Sequence, residues 1–127
     1  MPPVTRGFAF ENLEALGIPP HLHFALTDSS RHLGGQFLMT NFTTKPLYGC
    51  PSLVVQPQEH PWLSQPSMIA FRKARTPKDR EIHTAIADGN LIVRDTLSPA
   101  LVAKIRNALI TSPQSEDHIK DFLRTYR

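Results

Sequence analysis

The chain has 127 residues, 40% of them hydrophobic, which suits a single core, so one domain spanning 1–127 is expected, with a body over 4–95 and a helical segment over 97–126. One cysteine, Cys50, excludes an intramolecular disulfide and a cysteine-rich zinc site. No apolar run approaches the roughly 20 residues that span a bilayer, and the opening MPPVTRGFAFENLEALG lacks the layout of a secretory signal, so a cytoplasmic location with no membrane partner is expected.

Prolines and glycines punctuate the first three quarters, and the short runs between them are rich in aromatic, Val, Ile and Thr residues, which reads as strands. A short amphipathic piece over 11–16 is capped by Gly17 and stopped by Pro19 and Pro20. The first clear strand is 21–27, whose alternation sets Leu22, Phe24 and Leu26 on one face and His21 and His23 on the other. A polar turn with Gly34 and Gly35 leads back into a second strand over 36–42, closing a hairpin.

Further strands are expected over 52–56 and 67–72, separated by a loop that Pro57, Pro61 and Pro66 stiffen. Residues 82–87 and 91–94 flank Asp88-Gly89-Asn90 and read as another hairpin. The period then changes. Ser98 and Pro99 open a helix with the stripe Leu101, Val102, Ile105, Ala108 and Leu109, and Ser115 opens a second with Ile119, Phe122, Leu123 and Tyr126. The expected fold is therefore mainly β with C-terminal helices: an SH3-like small β-barrel of five to six strands with one or two helices packed on it.

The chemistry concentrates between residues 21 and 44. His21 and His23 share a face and are either solvent-facing strand positions or a pair able to act together, as metal ligands or as a general base and acid near neutral pH. As ligands they need His32, Glu59 or His60 as well, and no spacing motif joins those residues, so neither a metal nor another cofactor is assigned. Asn41, Phe42, Thr43 and Thr44, followed by Lys45, bring hydroxyls and a cation to a strand end; they either hold a phosphate or satisfy local backbone groups. Antiparallel pairing places the His21 end beside the Thr43 end, which makes one candidate site. Glu59, His60 and Trp62 offer acid-base capacity and a stacking surface, or else plug the end of the body. Arg72, Lys73, Arg75, Lys78 and Arg80 form a basic run, either a solvated loop or a contact for nucleic acid.

The segments Thr5-Arg6-Gly7, 20–26, 37–44, 67–75 and the helix opened by Leu97-Ser98-Pro99 follow an order that resembles the MazF and PemK family of small-barrel toxins from bacterial toxin-antitoxin pairs. The resemblance implies a metal-independent endoribonuclease with RNA as substrate, a small acidic antitoxin-like partner and a homodimer. On it, the catalytic residues are His21, His23, Thr43 and Thr44, and Arg72, Lys45, His60 and Trp62 bind substrate. Where the family carries an arginine ahead of the first core strand this chain has His21, so either the chemistry has moved onto the histidines or only the scaffold persists. A different class stays open: a non-catalytic barrel module for protein-protein interaction.

Overall fold

The hairpin expected from the alternation around Leu22 and Phe24 is the centre of a larger sheet. The structure, a computed structural model, describes residues 3–13, 20–45 and 53–126. Six strands are formed: β1 (Ala9–Asn12), β2 (Leu22–Ala25), β3 (Met39–Thr43), β4 (Val54–Val55), β5 (Ser67–Ile69) and β6 (Leu91–Arg94). Their order is β4-β5-β3-β2-β1-β6, every neighbouring pair antiparallel. Three helices accompany them: α1 (Asp79–Ala87), α2 (Pro99–Thr111) and α3 (Asp117–Thr125).

Strand alternation gives the sheet two apolar faces. Ala9, Leu22, Phe24, Phe42 and Ile69 point to one, where Leu101, Val102, Ile105 and Leu109 of α2 and Ile119 and Leu123 of α3 cover them. Phe10, Ala25, Phe37 and Met39 point to the other, covered in part by Ile82 and Ile86 of α1. Phe10, Phe24, Phe37, Phe42 and Phe71 are fully buried, each worth roughly 1.5–3 kcal/mol relative to exposure. Buried hydroxyls on and beside the strands are satisfied: Thr40 Oγ1 donates to the Ala70 carbonyl (2.6 Å), and Thr27 Oγ1, just past β2, accepts from the Leu38 amide (3.0 Å).

Four expectations need correction. The sheet is open: among the described residues β4 and β6 remain separate edges, so it does not close into a barrel. Residues 82–87 are helical. Ile82 and Ile86 fall one turn apart on the covered face, and Asp88-Gly89-Asn90 ends the helix, with the Gly89 amide on Ile86 and the Asn90 amide on Ala85, a Schellman pattern with Gly89 at φ 79°. Strand β6 accordingly pairs with β1. Glu11 and Asn12, read as the start of an amphipathic piece, are the end of β1; the rest of that piece to Leu16, and Ser52 of the expected 52–56 strand, lie outside the described residues. The strand expected over 67–72 stops at Ile69, because Phe71–Lys73 form a single 3₁₀ turn.

The tail follows its pattern. Ser98 Oγ accepts from the Leu101 amide (3.1 Å) and Pro99 occupies the first turn of α2. Among the described residues no helix is long and apolar enough to cross a membrane.

Candidate functional site

β2 and β3 pair with His23 opposite Asn41, and the same register carried two residues further sets His21 opposite Thr43. At that end of the sheet His21, Thr43, Thr44, Lys45 and Trp62 line one cleft of about 190 Å³, together with Phe42 and residues of the 63–67 segment. Five of the eight candidate residues thus share one concavity. Thr43 is buried and its Oγ1 accepts from the Lys45 amide (3.2 Å), so its hydroxyl proton stays available for a ligand. Thr44 and Lys45 are exposed, and Lys45 forms no ion pair among the described residues.

The imidazoles meet edge to face, with planes 62° and centroids 6.5 Å apart, but their surroundings differ. His23 lies flat against Phe10 (centroids 5.4 Å, planes 15° apart), and its Nε2 is 3.1 Å from Asn12 Oδ1. An amide oxygen only accepts, so Nε2 carries the proton and Nδ1 is left to accept from Arg75 Nη2, 3.5 Å away. Burial, then the charge of Arg75, then His21 drive its pKa down to about 4. His23 is therefore neutral at pH 7 and exchanges no proton there, against the expectation that both histidines serve as acid and base. The ring of His21 makes no hydrogen bond among the described residues, while its backbone amide donates to Asn12 Oδ1 (2.8 Å). Asn12 therefore holds both histidines through one oxygen.

The opposite wall is fixed from the other face of β1. Glu11 accepts from Trp62 Nε1 (3.1 Å) and from Arg94 Nε (2.9 Å), holding the indole at the rim. His60 is spent on structure: it is 3% exposed, its Nε2 donates to the Asp95 carbonyl (2.6 Å) and its Nδ1 accepts from the Trp62 amide (3.1 Å). Glu59 accepts from the Gln56 amide (2.8 Å) and from Lys104 (2.6 Å), and those bonds hold its carboxyl below the usual range. Arg72 is exposed on the 3₁₀ turn and does not line the cleft. Among the described residues no three of His, Cys, Asp or Glu are grouped to hold a metal ion.

Reading the strands residue by residue misses Phe10, Asn12 and Glu11, and it names Arg75 only as part of the basic run, not as a neighbour of His23. Asn12 reaches His23 across 11 positions and Arg75 across 52, so only the pairing of β1 with β2 and of the 75 segment with β3 brings them in. No known protein family, no curated protein and no solved structure matches the chain.

Proposed function

We propose that the chain binds single-stranded RNA in the cleft between His21 and Trp62 and cleaves it without a metal. The observation that carries this reading is the lining itself: one imidazole, two threonine hydroxyls, an ammonium and an indole around one concavity. Hydroxyls and a cation suit a phosphodiester, an indole suits a base, and histidine is the side chain that exchanges protons near neutral pH. His21 takes the 2'-hydroxyl proton and the 2'-oxygen attacks the adjacent phosphorus. The bond to the 5'-oxygen breaks, and that oxygen takes a proton from solvent. Thr43, Thr44 and Lys45 hold the non-bridging oxygens, and Asn12 and His23 position His21.

Kinship with MazF and PemK-like toxins belongs to this proposal, together with a cytoplasmic setting, a small acidic antitoxin-like partner and a homodimer. It requires the SH3-like barrel of that family to have opened between β4 and β6. The test is incubation of purified protein with mixed RNA in the presence of chelator. Wild type cleaves; His21→Ala and Thr44→Val each lose about a hundredfold in rate. Cleavage unchanged by His21→Ala overturns the assignment of the base, and RNA neither bound nor cut by wild type overturns the reading.

The second reading, a non-catalytic interaction module, is favoured by the edges. Val54 on β4 and Ile92 and Val93 on β6 are exposed apolar residues on strands with a free side. Pull-down of a protein partner by a chain that leaves RNA intact distinguishes it.

A further inference from the structure

Arg75 is anchored more firmly than an exposed arginine needs to be. Its backbone exchanges two hydrogen bonds with Met39 on β3 (both 2.9 Å), so the root of the side chain belongs to the sheet. The guanidinium then turns back over β2, where Nη1 donates to the Lys73 carbonyl (3.0 Å) and Nη2 meets His23 Nδ1. Among the described residues no carboxylate pairs with it. A guanidinium has five donors, and these contacts use two. Part of it is also withdrawn from water, which pushes its pKa down, as expected of a charge desolvated without a counter-ion. Beneath it His23 is locked as the Nε2 tautomer by Asn12 and adds no negative charge. The sheet thus holds an oriented, uncompensated cation two imidazoles from the cleft.

We infer that Arg75 is a second phosphate subsite, which takes the phosphodiester next to the one bound in the cleft. This rests on the RNA-binding reading and extends it: the ligand is a strand with at least two consecutive phosphates, which runs from the Thr43 and Lys45 end across His21 and His23 to Arg75. The guanidinium fork suits two oxygens of one phosphate, a geometry that an ammonium does not reproduce.

The test compares binding of diuridylate, with one internal phosphodiester, and triuridylate, with two, both 2'-O-methylated so that they are not cleaved, by wild type, Arg75→Gln, Arg75→Lys and His21→Ala, while the Arg75 Nε–H signal is followed by NMR. Wild type binds triuridylate about tenfold more tightly, a difference of about 1.4 kcal/mol, and only triuridylate shifts the Arg75 signal. Arg75→Gln removes the advantage and leaves diuridylate binding unchanged; Arg75→Lys restores part of it; His21→Ala keeps it. Equal affinities in wild type, or an advantage that survives Arg75→Gln, overturns the subsite while leaving the cleft intact. Failure of wild type to bind either probe overturns the RNA reading itself, and the subsite with it.

Discussion

His23 and His21 stand two positions apart on one strand face, yet the structure treats them differently. The ring of His23 is enclosed between Phe10, Asn12 and Arg75. In the unfolded chain His23 takes a proton near 6.5, in the folded one only near 4. Between those values unfolding takes up a proton, so stability falls as pH is lowered; it is whole above 6.5 and the loss is complete below 4. At about 1.4 kcal/mol per pKa unit the loss is about 3 kcal/mol. Urea denaturation of wild type and His23→Phe across this range is the check. The variant keeps a ring against Phe10 and loses the titration, so its stability falls less on acidification than that of wild type. At this scale the sequence is half legible. Alternation places both histidines on one face, but the burial and the Arg75 charge that lower the pKa of His23 come from residues that are not its sequence neighbours.

At the scale of elements, local signals that repeat at one period are legible, and signals shared by two kinds of structure are not. The tail from Ser98 onward combines a cap, a proline and an unbroken 3.6-residue stripe, and α2 and α3 follow it. Asp88-Gly89 is ambiguous by nature: a glycine at positive φ serves a tight hairpin and a helix end equally. Here Ile82 and Ile86 one turn apart decide for the helix, since burying Ile82 and packing the half-buried Ile86 against the cluster of Phe10 and Met39 outweighs the β preference of isoleucine. Gly89→Ala costs about 1 kcal/mol through strain at φ 79°, as nothing lies within 4 Å of the added methyl. Ser98→Ala costs about as much through loss of the bond to the Leu101 amide. Thermal melts report either change as a lowering of Tm by about 4 °C. A second cost visible only in the fold lies at Gly35, where a Cβ would collide with the Asp79 carboxylate at the start of α1.

For the molecule as a whole, the shortness of the strands is legible, whereas their full set and the closure of the sheet are not. Whether the last strand returns to the first or meets the fourth is a matter of long-range pairing that alternation does not encode. Here β6 pairs with β1 and does not also meet β4, which leaves two edges among the described residues, and the 57–66 loop sets its indole at the mouth of the cleft. Trp62 is the one tryptophan of the chain, so its fluorescence reports directly on that mouth. Single-stranded RNA is expected to quench it, with a dissociation constant that rises with salt by about 0.7 logarithmic units per phosphate held, for each decade of salt. A titration at several salt concentrations gives the number of phosphates; a flat response means that Lys45 and Arg75 hold none.

The short strand β1 carries more than its length suggests. Glu11 and Asn12 are consecutive, so they face opposite sides of the sheet: the carboxylate steadies Trp62 and Arg94, and the amide steadies His21 and His23. Displacement of β1 by a single residue would exchange them. The histidines would then face a carboxylate, which favours imidazolium, and the indole and guanidinium would face a neutral amide. The alignment of one four-residue strand is therefore also an electrical setting: it decides which side of the sheet carries the Glu11 carboxylate and which the neutral Asn12 amide.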